Sequence, residues 1–525
     1  MRRRVTVFGL VLFVILLSGV LAYGLHERDV QVDKYSAVDR PPRIHPDYSS
    51  TVIPPNISPL NFTVKEKGSY YFARIYSDKG EAIEVSSRSP DIVIPINSWH
   101  VLLDKNRGGQ VHFDVFVMTD DRGWVRFGTI TNRIASEDVD NYIVYRRTHP
   151  TNTLSRGRVG IYQRDLRCFD EKTVLDNHLY KAGCSSCHTF CGNRPDNVLI
   201  GVRNLKQGPI TLLIEDGVVS KIDAKFGYTT WHPSGKLVAY SLNKLPMFLH
   251  TARRELRDTM DIDSVLLYFV VDSKAVKTSP QISKKDQLEN WPAWSADGRY
   301  LYFCSTPKSP ILQEKKFPPD GYDQVKYNLV RVSYDLEHDQ WGEAETVLSS
   351  KDTGLSIAMP RFSPDGRWLI FCMSDYGCFP PWQVSSDLYI VDMKVAEETG
   401  RYEYRRLDIS SDQSESWHSW SSNSRWLIYS SKKEHGVFTK CYISYVDETG
   451  KAYKPLIVPQ EDPELYNYCL ETFNTPEFVT GPIAATGEQL ARAVRSSTKV
   501  SVKMPITMAT PKAGSDKGPS LLELE

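Results

Sequence analysis

Four segments of this chain repeat one pattern, and that repeat constrains the fold more than any other feature. They are Trp231–Ser241, Trp294–Ser305, Phe362–Cys372 and Trp420–Ser430, with starts 63, 68 and 58 residues apart. Each begins with an aromatic residue, passes through a short polar turn (Ser-Pro-Asp-Gly-Arg in the third) and continues as an alternating apolar strand. One such unit cannot bury its own apolar face. Units of this period satisfy one another by stacking radially as four-stranded blades, which is a β-propeller. The strands Ser264–Val271, Tyr327–Tyr334 and Asp387–Met393 supply further members, and Cys441–Val446 with Pro455–Val458 complete the fourth unit. Val198–Glu215 offers strands for another blade. The expected ring has five blades, or six if the segment before residue 198 contributes.

The expected fold class is therefore all-β, with an N-terminal membrane anchor, a small β-sandwich-like domain and the propeller. Arg2, Arg3 and Arg4 precede an uncharged run from Val5 to Leu25. That run is long enough to cross the roughly 30 Å of a bilayer core. Residues 1–25 are read as a transmembrane anchor, or alternatively as a cleaved signal peptide. The arginines stay in the cytoplasm and the body lies on the periplasmic side of a bacterial cytoplasmic membrane. Residues 26–58 form a Pro-dotted polar spacer. Residues 59–149 hold short aromatic and β-branched strands, including Tyr70–Tyr76, Ile92–Ile96, Val111–Met118 and Trp124–Ile130, without helix between them. Residues 198–480 form the propeller, and 481–525 are polar, lack an apolar period and are expected to be disordered. Lys and Arg number 64 and Asp and Glu also 64, so no basic footprint points to nucleic acid.

Between the two β regions, in 150–197, stands Cys184-Ser185-Ser186-Cys187-His188. Two thiols at this spacing can add to the two vinyl groups of one haem, and the adjacent imidazole then becomes the proximal iron ligand. The expected cofactor is one covalent haem c on Cys184 and Cys187, with His188 axial. Flanking Gly183, Gly192, Asn193 and Pro195 put the motif in a loop or a short helix. Met247 or His250 leads for the distal ligand, with His178 and Met359 behind. Other uses of the thiols are a zinc site with Cys191, an iron–sulfur cluster, a redox pair, or a disulfide (Cys184–Cys187 or Cys168–Cys191). His232 and His418 read as turn or blade-packing groups, and Asp297 and Asp365 as acceptors inside their turns.

The repeats resemble the PD40 (TolB-like, WD40-like) propeller family; Phe362–Phe371 carries its signature, and Asn423-Ser424 departs from it. The order of anchor, β-domain, Cys-x-x-Cys-His and propeller resembles exported bacterial proteins of TolB-like or cytochrome c type, up to about Pro476. The resemblance implies that haem attachment belongs to this architecture. The functional expectation is a membrane-anchored monohaem cytochrome passing single electrons to or from an exported redox partner. The alternatives are an envelope protein-interaction scaffold with a structural Cys pair, and a haem enzyme with an open iron site. An electron carrier or scaffold is favoured over an enzyme, because no other catalytic constellation is present.

Overall fold

A computed structural model describes residues 32–149, 158–180, 184–204, 208–313 and 317–502. The anchor expected at 1–25 lies outside the described residues. Among those described, no helix is long and apolar enough to cross a membrane.

The repeats fold into antiparallel sheets of four strands, five in the third blade, each running from an innermost strand outward. The six innermost strands are β1 (Cys184–Phe190), β2 (Thr229–Trp231), β3 (Gln287–Trp294), β4 (Ser356–Phe362), β5 (Glu415–Trp420) and β6 (Thr472–Val479). Each packs beside the next, and β6 returns to β1, so the ring closes around a central channel. The ring has six blades. β1 heads the blade completed by Asn197–Asn204, Gly208–Glu215 and Val218–Ile222. The Cys184–His188 motif is thus extended strand, not loop or helix.

The sixth blade joins the two ends of the propeller chain. β6 pairs antiparallel with Tyr142–Thr148, which pairs with Val159–Asp165 and then Glu171–Asp176. Residues assigned by sequence to the N-terminal domain and the haem segment are therefore part of the ring. The tail differs from expectation within residues 481–502, the rest of it lying outside the described residues. Gly487–Arg495 is a helix, capped by reciprocal hydrogen bonds between Thr486 and Gln489, that buries Leu490, Ala491 and Val494.

The repeat turns are built as the residue types dictate. In the fourth blade the Ser363 hydroxyl donates to Asp365 and accepts from the Trp368 amide, while Asp365 accepts from the Arg367 amide. Gly366 stands at φ 74°, a left-handed position that costs glycine nothing. In the fifth blade Ser424 takes that position at φ 61°, and its hydroxyl accepts the Asp365 amide of the neighbouring blade. Asn423 keeps the acceptor role toward Ser421 and Arg425 and adds a donor, which reaches the Asp138 carbonyl at 2.7 Å. Both departures from the repeat are offset by a contact to a neighbour.

The N-terminal domain carries a seven-stranded sheet and a three-stranded one, with strands beginning at Ser36. It also contains a helix, Ile96–Lys105, whose Trp99, Leu102 and Leu103 are buried. The expected strand Ile92–Ile96 ends at Ile92, and the apolar residues beyond it follow helical spacing. The domain docks on the fifth blade. The Trp426 indole donates to the Glu137 carbonyl, Ser422 to Asp140, and Arg133 lies over the rings of Tyr445 and Tyr453.

Candidate functional site

The innermost strands share an irregularity that builds the channel. Where each pairs with its second strand, two residues of β1, β3, β4, β5 and β6 oppose one partner residue, a β-bulge. The first bulge residue is left-handed in four blades: Trp291, Met359, Trp417 and Thr475 have φ between 48° and 55°. The second is Pro292, Pro360 and Pro476 in three of them, where proline removes an amide the ladder does not use. β2 runs without the bulge but keeps the same register to its repeat.

Aligned through this register, the strands contribute stacked layers. The floor holds Tyr228, Trp291, Met359, Trp417 and Thr475; next come Cys187, Thr229, Pro292, Pro360, His418 and Pro476. The waist holds His188, Thr230, Ala293, Arg361, Ser419 and Glu477. The floor is closed by rings. Tyr228 stacks on Trp291 at 3.3 Å between centroids, and Trp417 meets Trp291 edge-on at 5.4 Å. Above the floor lies a small cavity of about 30 Å³, and above the waist a funnel of about 250 Å³ open to solvent.

Two of the three motif residues enter this channel. Cys187 and His188 line the lower cavity. His188 is 3 % exposed; its Nε2 meets the Val144 carbonyl at 3.3 Å and its Nδ1 has no hydrogen-bond partner. Burial is the main reason its pKa falls to about 4, so the imidazole is neutral at physiological pH. Cys184, half-buried with a free thiol, sits instead 3.3 Å from Nη2 of Arg146.

The other candidates fall in different places. Met247 and His250 belong to a hairpin between the second and third strands of the second blade. His250 Nε2 lies 2.9 Å from Asp258 and 3.3 Å from the Tyr322 hydroxyl, and neither Met247 nor His250 lines the channel. Met359 and His418 do line it. Met359 Sδ accepts the Trp417 amide at 3.5 Å. His418 is 3 % exposed, with Nε2 at 3.2 Å from the Ile370 carbonyl, and its pKa falls to about 3, chiefly through burial. His232 packs between blades, with its ring nitrogens on Ser234 and the Gly298 carbonyl. His178 follows Asp176 in a turn of the sixth blade. Cys191 faces the His232 carbonyl, and among the described residues no three His, Cys, Asp or Glu side chains converge as metal ligands.

The donor set suits haem c chemically. Two thiols three residues apart precede an imidazole with an unpartnered nitrogen, in a channel that also presents a thioether and a second imidazole. The channel residues outside the motif had a sequence signal that the repeat reading passed over. Extending each repeat three residues upstream aligns Tyr228-Thr229-Thr230, Trp291-Pro292-Ala293, Met359-Pro360-Arg361 and Trp417-His418-Ser419, and Thr475-Pro476-Glu477 has the same form without a repeat after it. The same frame places Cys187 and His188 at the second and third positions.

No protein-family profile and no curated protein matches this chain. Several solved structures are similar. A mutant puromycin hydrolase is 13% identical with a TM-score of 0.33, over 60% of this chain and 45% of that one. Oligogalacturonate lyase from Vibrio parahaemolyticus is 12% identical with a TM-score of 0.31, over 74% of this chain and 100% of that one. Prolyl oligopeptidase B from Galerina marginata is 12% identical with a TM-score of 0.33, over 77% of this chain and 54% of that one. This chain thus spans about half the length of two of the three, and at these identities no residue role transfers to it.

Proposed function

We propose that the protein is an exported PD40-type propeller carrying one haem c, anchored on the periplasmic side of the bacterial cytoplasmic membrane, that exchanges single electrons with an exported redox partner. The observation that carries the reading is the placement of Cys184-x-x-Cys187-His188 on the innermost strand of a blade, with His188 unpartnered at Nδ1 inside the channel. Bound haem c would supply one-electron chemistry at a potential set by its axial ligands and its surroundings. The chain's own residues prepare for that role. His188 is held neutral, so it ligates without first losing a proton. The aromatic floor keeps water out from below. Met359 and His418 replace Met247 and His250 as candidates for the distal ligand, since they line the same cavity as His188. Attachment of both thiols requires Cys184 to leave Arg146 for the channel.

The test is expression with a cytochrome c maturation system, followed by haem staining of a denaturing gel and a pyridine haemochrome spectrum. One haem per chain is expected, lost in Cys184→Ser together with Cys187→Ser. A wild-type protein without covalent haem would refute the reading. A six-coordinate low-spin spectrum supports electron transfer, whereas a high-spin ferric spectrum with turnover would favour an enzyme.

The contacts of Cys184 with Arg146 and of His188 with Val144 favour a second reading, an envelope interaction scaffold in which the motif is structural. It predicts that Cys184→Ser retains the same partners in a pull-down and the same thermal midpoint.

A further inference from the structure

The waist of the channel holds a cation without an ion-pair partner among the described residues. Arg361 lines both the lower cavity and the funnel, and among the described residues its guanidinium has no hydrogen bond and no carboxylate within ion-pairing distance. Glu477, the acid of the same layer, receives the Phe190 amide at 3.2 Å but does not pair with Arg361. Desolvation pushes the Glu477 carboxyl up to about 7, so at neutral pH it offsets the arginine only in part.

Arg361 is half-buried at the base of a funnel open to solvent, so its unpaired guanidinium is free to meet a ligand that enters. The funnel above it is walled by aromatic rings. Trp294 and Trp420 line it at 5 % and 3 % exposure. With Trp231 and Phe362 these rings form flat apolar walls around a single positive charge. Apolar walls with a few placed donors describe a small-ligand site, and one guanidinium matches one carboxylate through two parallel hydrogen bonds.

We infer that the funnel binds a carboxylate carried on a planar apolar body, with Arg361 as its anchor and the aromatic walls as its apolar contact. The inference does not depend on covalent haem at Cys184 and Cys187. If haem is attached there, a propionate of that planar group is one source of the carboxylate; a diffusible aromatic acid is the other.

The probe is benzoate, read by calorimetry and by tryptophan fluorescence in the Cys184→Ser, Cys187→Ser protein, which cannot attach haem. Saturable binding is expected at about 1 mM or tighter, as suits a ligand of this size. Benzamide, which lacks the charge, should bind at least tenfold more weakly. Arg361→Gln should weaken benzoate at least tenfold, and Arg361→Lys should fall between. Unfolding curves confirm that the variants are folded, and Arg361→Lys carries the test should Arg361→Gln not fold. The inference is overturned by absence of saturable binding in the parent up to 20-fold above that concentration, about 20 mM. Equal affinity for benzoate and benzamide, or an unchanged affinity in folded Arg361→Gln, would overturn it too. In haem-loaded wild type, exclusion of benzoate assigns the anchor to a propionate, and unchanged affinity assigns it to a diffusible acid. A protein that never takes haem would refute the cytochrome reading while leaving the benzoate result to decide this one.

Discussion

Glu289 is 2 % exposed at the start of β3, where one carboxylate oxygen accepts the Lys284 amide at 3.0 Å and the other has no partner. Burial raises its pKa from 4.5 to about 8. The folded protein therefore keeps a proton that the unfolded chain releases between those values, and stability falls as pH rises through the window from 4.5 to 8. Glu289→Gln keeps an acceptor for Lys284 and has no proton to lose. At about pH 8 it should be more stable than wild type by on the order of 1–2 kcal/mol, and at about pH 4.5 equal, read as thermal midpoints across that range. Parallel pH slopes in the two proteins would contradict this. Residues of this kind are invisible in a sequence, because burial of a single Glu leaves no local pattern. The Cys-x-x-Cys-His motif is the opposite case: the chemistry proposed for it fixes residue types at fixed spacing within five positions. Arg361 and Glu477 lie between these extremes. They meet only because two strands more than a hundred residues apart share one layer, yet the proline that precedes each of them is written in the chain.

The repeat turn is the element whose energetics the chain itself varies. Asp365 accepts one hydroxyl and one amide, as Asp297 does in the preceding blade, whereas Asn423 does the same work and also donates to the Asp138 carbonyl. Asp365→Asn should therefore change stability by less than about 0.5 kcal/mol, while Asp365→Ala should cost about 1 kcal/mol, the worth of a lost turn acceptor. Asn423→Asp should cost about 1–2 kcal/mol, since it removes the donor and sets a carboxylate against a carbonyl at the interface with the N-terminal domain. Urea midpoints decide it; equal losses in Asp365→Asn and Asn423→Asp would refute the distinction. Two of the helices outside the sequence reading escape it for different reasons. Trp99, Leu102 and Leu103 follow helical spacing, but the stretch is short and set among strands. Gly487–Arg495 lies in polar sequence, and its narrow stripe finds cover on the sheets of the first and sixth blades.

For the molecule as a whole, everything rests on one late strand. β6 is made by residues 472–479 yet pairs with Tyr142–Thr148, so the ring closes only after almost all of it has been synthesised. This is why repeat counting reaches five blades and leaves the sixth conditional: the closing blade is split between two distant parts of the chain, and β6 lacks the polar turn that follows β2, β3, β4 and β5. Its Phe473, Phe478 and Val479 are buried, and at roughly 1.5–3 kcal/mol for each side chain their loss approaches the 5–15 kcal/mol that holds a typical domain folded. A chain ending at Glu471 should lose the closed ring. It would expose the edge of Tyr142–Thr148, the waist would lack Glu477, and the inner strands β5 and β1 would lose their shared neighbour. The expected signs are a larger radius in small-angle scattering, dye binding to exposed apolar surface and rapid proteolysis. A chain ending at Val502, which retains β6 and the helix Gly487–Arg495, should keep the compact radius. A synthetic peptide of residues 472–479 added to the shorter chain should restore part of the protease resistance by occupying the vacant edge. If the 1–471 chain is as compact and as resistant as the full chain, β6 is not what closes the channel, and the layered site built on it loses its premise.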